Sequence, residues 1–136
     1  MSREVKRDYS DYSILVVDDQ LGVRKLLCEA LKDEFKEVRS AANGIEAISI
    51  VENSFPDLVV MDMKMPRMNG LELLKHLRSI GYYNPVIMMT AYGELEIVSE
   101  AAKMGVKNYI TKPFDLQDLR KQIKDTLKIT GAAEED

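Results

Sequence analysis

Three short apolar runs constrain the fold of this chain more than any other feature of its sequence. They read SILVVD at 13–18, DLVVMD at 57–62 and PVIMMT at 85–90. Each run is nearly continuous rather than alternating, which is typical of strands that are buried on both faces of a parallel sheet. Weaker runs at 37–41 and 107–111 predict two further strands at or near the edges of that sheet.

Amphipathic segments fill the intervals between these strands. Apolar residues recur at helical spacing across 23–31 and again across 116–127, and segments 44–53, 71–80 and 94–104 complete the pattern. Parallel neighbours need right-handed crossovers, so helices must cover both faces of the sheet. The sequence therefore predicts an α/β fold, a doubly wound five-stranded parallel sheet of order 2-1-3-4-5 with five helices.

The 136 residues suit a single domain, which we place at 13–130 between a polar N-terminal tail at 1–12 and an acidic C-terminal tail at 131–136. The only cysteine, Cys28, excludes an intrachain disulfide, and its neighbours predict a buried helical position. A net charge of -4 disfavours nucleic acid as a direct partner. No apolar run is long enough for a membrane span or a signal peptide, so we expect a cytoplasmic protein.

Polar residues stand at the carboxyl ends of four of the predicted strands. Asp18 and Asp19 follow strand 1, Asp62 ends strand 3, Thr90 ends strand 4, and Lys112 follows strand 5. Each one alone has an ordinary explanation as a helix cap or a turn residue. In an open parallel sheet, however, all four ends lie at the edge where ligands bind. Because strands 1 and 3 are neighbours, the three carboxylates are expected to converge.

Converging carboxylates need a compensating charge. Two of them ~4 Å apart repel by roughly 4 kcal/mol at an effective dielectric near 20, so either one is protonated or a cation lies among them. Oxygen ligands in a partly open site favour Mg²⁺. One carboxylate is then placed to attack a phosphoryl group in line, while the ion, Lys112 and the Thr90 hydroxyl take up charge on the equatorial oxygens.

With these residues the chain resembles the receiver domains of two-component response regulators. The resemblance spans about 13–129, and its matching segments are VVDDQ, DMKMPRMNG, MTAYG and TKPF. Within the family the chain is most similar to the stand-alone receivers of sporulation phosphorelays, through VDDQ-x-G-x-R-x-LL, AANG, DMK-x-P-x-M and MTAYGEL. The resemblance implies a flavodoxin-like fold and a phosphoacceptor signalling domain. It is not a conventional enzyme, although it catalyses its own phosphorylation and slow dephosphorylation.

The resemblance also implies a role for each residue of the acidic cluster. Asp62 is the phosphoacceptor, and it receives the group from the phosphohistidine of a sensor histidine kinase. Mg²⁺ is bound directly by Asp19 and Asp62 and by the backbone carbonyl of Lys64. Asp18 acts on the ion mainly through water.

The same resemblance assigns switch, tuning and docking residues. Thr90 hydrogen-bonds the phosphoryl group, Lys112 pairs with it, and Tyr109 is the aromatic residue whose rotamer reports activation. Lys64 and Tyr92 tune the lifetime of the phosphoaspartate. The Lys112–Pro113 bond is expected to be cis. A partner-docking surface is implied at Gly22, Val23, Leu26 and Pro113, with plain core packing as the alternative for Val23 and Leu26.

Three positions depart from the pattern or stand outside it. The sporulation receivers carry a histidine where this chain has Tyr109. The segment PRMNG places Arg67 and Asn69 where P-G-M-D-G is more usual, which alters the loop beside Asp62. His76, the only histidine, is expected to face solvent rather than to carry a phosphoryl group.

Partners and alternatives follow from the same residues. We expect a sensor histidine kinase as a partner, with a histidine phosphotransferase or an effector protein as a further partner, and we expect a monomer or weak dimer.

Two other functions occur on similar sheets. A dehalogenase-type phosphatase would need D-x-D after strand 1, and a flavin module would need a phosphate-binding Ser/Thr/Gly loop there. The chain ends without a helix-turn-helix, so we expect output by phosphotransfer or protein contact. A receiver cut from a larger DNA-binding regulator is the alternative.

Overall fold

Five parallel strands form the centre of the protein, and the computed structural model describes residues 9–91 and 95–135. The strands are β1 (Ser13–Val17), β2 (Glu37–Ala41), β3 (Leu58–Asp62), β4 (Val86–Thr90) and β5 (Asn108–Thr111). Their order is β2-β1-β3-β4-β5, and every neighbouring pair is parallel. The predicted fold class and strand order are therefore confirmed.

Five α-helices alternate with these strands. They are α1 (Leu21–Leu31), α2 (Gly44–Asn53), α3 (Gly70–Ser79), α4 (Leu95–Lys103) and α5 (Leu116–Glu135). Asp115 Oδ1 accepts from the backbone N–H of Gln117 at 2.8 Å, and this hydrogen bond caps the first turn of α5. Gly81 and Gly105 follow α3 and α4 with φ near +90°, where a side chain would be strained.

The two faces of the sheet pack against separate apolar clusters, which explains why the central runs are continuous. All five residues of β3 are buried. Val59 and Met61 face a cluster formed with α2 and α3, whereas Leu58 and Val60 face a cluster formed with α1 and α5. Because neither face of a central strand meets water, both sets of alternating positions must be apolar.

Helical structure extends into both segments that the sequence predicts as polar tails. A short 3-10 helix at Tyr9–Asp11 precedes β1, and the ring of Tyr9 lies 6.2 Å from that of Phe35. At the other end α5 continues to Glu135, since the stretch AAEE consists of good helix formers. In the part of the chain that the structure describes, no helix has both the length and the apolar character needed to cross a membrane.

A charged cluster joins the segment after α1 to α5. Glu34 accepts from Arg120 Nη2 at 2.9 Å and from Lys124 Nζ at 2.8 Å, and the three side chains are only 27–32% exposed. These hydrogen bonds, first from Arg120 and then from Lys124, lower the pKa of Glu34 below its ordinary value. The cluster therefore stabilises the contact between α5 and the segment after α1 mainly when Glu34 is ionised.

We predict that Glu34→Gln lowers the free energy of unfolding by about 1 kcal/mol at pH 7, as for a partly buried charge pair. Because the folded state depresses the pKa of Glu34, its contribution is present above an unfolded-state pKa of about 4.3 and is lost as pH falls through the folded-state value. Urea unfolding at pH 7 and pH 3.5 measures both effects, and the difference between wild type and variant shrinks at the lower pH.

Asp125→Asn is the matched control, because it breaks the exposed Lys121–Asp125 pair on the same helix (73% and 54% exposed). Such an exposed pair contributes little to stability, because solvent screens it. Equal losses in the two variants, or a loss in Glu34→Gln that does not change with pH, would contradict the assigned role of Glu34.

Candidate metal and phosphoryl site

Three carboxylates converge at the carboxyl ends of β1 and β3. Asp18, Asp19 and Asp62 each contribute an oxygen, and these oxygens all lie within 4.8 Å of one another. Asp18 is completely buried and Asp62 is 6% exposed, whereas Asp19 faces solvent. The expected convergence is therefore present, with one carboxylate accessible from outside and two held in the protein interior.

The lysine that directly follows β5 reaches both buried carboxylates. Lys112 Nζ lies 3.3 Å from Asp18 Oδ2 and 3.2 Å from Asp62 Oδ1. Its backbone N–H donates to the carbonyl of Thr90 at 2.7 Å, which extends the β4–β5 pairing to the site. The Lys112–Pro113 peptide bond is cis, as expected from the sequence.

The charges of the site are only partly balanced. Burial raises the pKa of Asp62, the charge of Lys112 opposes this effect, and the charge of Asp18 adds to it. Burial alone would lower the pKa of Lys112, but Asp62 and Asp18 outweigh burial and raise that pKa. Asp18 is further held by the backbone N–H of Gln20, which donates to Oδ1 at 2.9 Å. Lys112 therefore pairs with the two buried carboxylates, and the exposed Asp19 adds a third acidic group to the cluster.

Thr90 and Tyr109 are held on neighbouring strands. Thr90 is 2% exposed and lies one register step beyond Met89, the partner of Asp62 in the β3–β4 pair. Tyr109 lies on β5 with 44% of its surface exposed, and its carbonyl accepts from Gln122 Nε2 at 3.1 Å. The second predicted tuning residue, Tyr92, lies outside the described residues.

The loop after Asp62 is held tightly against the end of β3. A Cβ at Gly70 would come within 2.7 Å of the Asp62 carbonyl oxygen and 2.8 Å of Met63 Sδ, so only glycine fits there. Asn69 forms a reciprocal capping box with Glu72 at the start of α3. Arg67 has φ of 71°, which is strained for a residue with a side chain. The exposed Lys64 lies at the beginning of this loop.

Two structural residues of the site do not follow from the strand-end argument. Gly70 allows the close approach of the loop, and Arg24 Nη1 donates to the carbonyl of Asp18 at 2.8 Å. The Asn-Gly pair at 69–70 is a turn signal that could have indicated the role of Gly70. The contact of Arg24 with Asp18 depends on how α1 packs beside β1, which has no local signature.

Three of the predicted docking residues, Gly22, Leu26 and Pro113, are exposed, and Val23 is partly exposed. The exposure of Leu26 differs from the apolar stripe that the sequence predicts for α1. Leu26 is 54% exposed, so its side chain does not belong to the core, whereas Val23 packs partly against the cluster on that face. The reason is that α1 buries only the face turned to the sheet and α5, and Leu26 lies beyond its edge. Gly22 and Pro113 are exposed, and so is Leu21, which the sequence argument missed.

The two remaining predictions concern Cys28 and His76. His76 is exposed on α3, as expected. Cys28 is only partly buried, so the prediction of a buried position was wrong in degree. The cause is the same as for Leu26, because Cys28 lies near the margin of the buried face of α1.

Comparison with known proteins identifies the family. A sequence model for the response regulator receiver domain matches residues 14–124. The chain belongs to this family. It is 44% identical over 116 residues to sporulation initiation phosphotransferase F of Bacillus subtilis (strain 168), covering 85% of this chain and 94% of that protein. A crystal structure of a receiver domain protein from Clostridium thermocellum superposes with a TM-score of 0.81 at 30% identity, covering 90% of this chain and 98% of that one.

Receiver domains occur in more than one protein context. Regulatory protein AtoC of Escherichia coli (strain K12) is 39% identical over 90% of this chain, but the match covers only 26% of that protein. Membership in the family makes this chain a phosphoacceptor signalling domain of two-component and phosphorelay pathways rather than a conventional enzyme. The phosphatase and flavin alternatives on a similar sheet are thereby set aside.

We predict that Asp62→Asn stabilises the receiver domain in the absence of divalent cations. The change removes one buried charge from beside Asp18 and leaves Lys112 paired with Asp18, so the free energy of unfolding rises by about 1–2 kcal/mol. Chemical unfolding in the presence of a chelator measures this, and Asp118→Asn, an exposed carboxylate on α5, serves as the control. A destabilised Asp62→Asn would show that the ion pair with Lys112 outweighs the repulsion.

Proposed function

We propose that this receiver domain accepts a phosphoryl group onto Asp62 from the phosphohistidine of a sensor histidine kinase, with Mg²⁺ as its cofactor. The observation that carries the proposal is the convergence of Asp18, Asp19 and Asp62 with a single lysine between the two buried carboxylates. Such an arrangement has an excess of negative charge until a cation binds. It also leaves a nucleophilic oxygen at the edge of the sheet where ligands bind.

The residues present fit Mg²⁺. All the available donors are oxygens, and they come from carboxylates that already lie within 4.8 Å of one another. We assign Asp19, Asp62 and the carbonyl of Lys64 as direct ligands and Asp18 as a ligand through water. When bound, Mg²⁺ supplies positive charge to the oxygens of the phosphoryl group during transfer.

The residues of the chain perform the remaining steps. An oxygen of Asp62 attacks phosphorus in line as the bond to the donor imidazole breaks, and the product is an acyl phosphate. Lys112 Nζ lies 3.2 Å from Asp62 Oδ1. It is therefore placed to pair with a phosphoryl oxygen once Asp62 carries the phosphoryl group. The hydroxyl of Thr90 donates to a second oxygen. Because Asp62 is 6% exposed, water reaches the product only slowly, which gives a finite phosphoryl lifetime.

Phosphorylation would be transmitted along β4 and β5. The movement of Thr90 toward the new charge shifts the end of β4, and Tyr109 on the adjacent strand reorients in response. The exposed Leu26, with Gly22 and Pro113, forms the surface on which the kinase or a histidine phosphotransferase docks. Lys64, which is exposed at the start of the loop after Asp62, and Tyr92 are the residues that set the rate of dephosphorylation. Output passes to an effector protein, with no direct contact to nucleic acid or membrane, from a monomer or weak dimer.

The first test measures intact mass after incubation with acetyl phosphate. We expect the wild type to gain one phosphoryl group only when Mg²⁺ is present, and we expect no gain in Asp62→Ala. Asp33→Ala, an exposed carboxylate, is the matched control and should be labelled like the wild type. Labelling that survives excess chelator, or that persists in Asp62→Ala, would contradict the proposed site.

The second test concerns the metal ligands. Asp19→Asn removes the accessible carboxylate without changing its size, and we expect the affinity for Mg²⁺ to fall by at least about tenfold. Calorimetric titration of Mg²⁺ into wild type, Asp19→Asn and Asp33→Asn measures this directly. Unchanged affinity in Asp19→Asn would show that this carboxylate is not a ligand.

A further inference from the structure

Four methionines fall at positions 61–68, in or beside the loop that follows Asp62, and one of them, Met68, is partly exposed. Seven methionines fall in the part of the chain that the structure describes, and five of these are no more than 8% exposed. The two partly exposed ones are Met68, in the loop, and Met104, just after α4. The loop that follows Asp62 therefore contains one partly exposed methionine, and the segment just after α4 provides a second one outside that loop.

The side chain of Met68 packs against the first residue of α2. A Cβ built on Gly44 would overlap Met68 Sδ and would lie 3.1 Å from Met68 Cγ and 3.3 Å from Met68 Cβ. The side chain of Met68 thus occupies the space that a glycine leaves open at the first residue of α2. On its inner side Met68 packs against the apolar cluster beneath α2 and α3. This is a close apolar contact between the loop and a neighbouring helix.

The backbone beside Met68 is strained, and the contact between Met68 and Gly44 helps to keep it in that conformation. Arg67 is in the left-handed region with φ of 71°, and the backbone N–H of Met68 donates to the carbonyl of Pro66 at 2.8 Å. A residue with a side chain keeps such a conformation only when its surroundings hold it there. Lys64, whose carbonyl we assign to the metal, lies in the same short loop. Release of Met68 would therefore allow the segment beside Asp62 to relax.

We propose that Met68 is a modification site at which a peroxide-type oxidant switches off the acidic site. A lone pair of the Met68 sulfur attacks one oxygen of hydrogen peroxide, the O–O bond breaks, and the products are methionine sulfoxide and water. Sulfur is oxidised by two electrons and the peroxide is reduced. The sulfoxide is polar and leaves the apolar contact with Gly44. The loop then loosens, and Mg²⁺-dependent phosphorylation of Asp62 falls, a consequence that rests on the proposed function.

Cys28 is the remaining partly exposed sulfur-containing residue in the part of the chain that the structure describes, and it is not part of this loop. It lies on α1 and is partly buried, and burial raises the pKa of its thiol, so little reactive thiolate forms. A Cys28→Ser background removes its contribution from every measurement below.

The test treats the folded protein with hydrogen peroxide and maps sulfoxides by peptide mass spectrometry. We expect Met68 and Met104 to oxidise at least about tenfold faster than the buried methionines, which must wait for local opening. Acetyl phosphate labelling should decline in step with oxidation of Met68. Met104→Leu is the matched control and should lose labelling like the parent, whereas Met68→Leu should keep it.

Gly44→Ala tests the contact without any change to Met68. The new Cβ collides with the flexible end of the Met68 side chain, so the side chain must move outward. We expect this variant to speed the oxidation of Met68 several-fold and to leave the rate at Met104 unchanged. It also serves as the second variant if Met68→Leu does not fold.

Two results would overturn the inference. One is oxidation of Met68 at the rate of the buried methionines, with no acceleration in Gly44→Ala. The other is unchanged labelling of a protein whose Met68 is fully oxidised. Untreated protein that takes no phosphoryl group would instead overturn the proposed function, and the oxidation rates would still decide whether Met68 is the modified residue.

Discussion

The structure depends on two buried carboxylates that stand side by side at the centre of a parallel sheet. Asp18 follows β1 and Asp62 ends β3, and these strands are neighbours in the sheet, so their carboxyl ends meet. Burial of two like charges is unfavourable unless a cation is near. Lys112 supplies one positive charge from beyond β5, which explains why the end of that strand must reach the same edge of the sheet.

The incomplete balance of charge links the fold to its function. One lysine against three acidic groups leaves the site responsive to any ligand that adds positive charge or redistributes the negative charge. A cation bound only by the folded state also stabilises it by mass action. The surrounding structure holds the acidic groups in place, through the tight approach of Gly70 to β3 and the hydrogen bond from Gln20 to Asp18. Pre-organisation of this kind is what phosphoryl transfer requires, because positioning and charge stabilisation supply most of its catalysis.

The sequence predicted the sheet and the convergence of the acidic groups because both follow from local patterns and one topological rule. Continuous apolar runs indicate buried strands, and parallel order brings their carboxyl ends together. The position of Leu26 was not predictable in the same way, since helical spacing cannot say where the buried face of α1 ends. The contact between Met68 and Gly44 joins the loop after β3 to the first residue of α2, which is distant from it in sequence. It becomes visible only when tertiary packing places them together.

In the proposed function, Asp62 carries the phosphoryl group as an acyl phosphate. Reduction with borohydride tests this most directly, because hydride converts an acyl phosphate to an alcohol and leaves free carboxylates and phosphate esters intact. The receiver domain, phosphorylated in the presence of Mg²⁺, would be reduced, digested and sequenced by mass spectrometry. We expect homoserine at position 62 and unmodified aspartate at positions 18 and 19. Homoserine at position 18 or 19, or a phosphoryl group that resists borohydride, would contradict it.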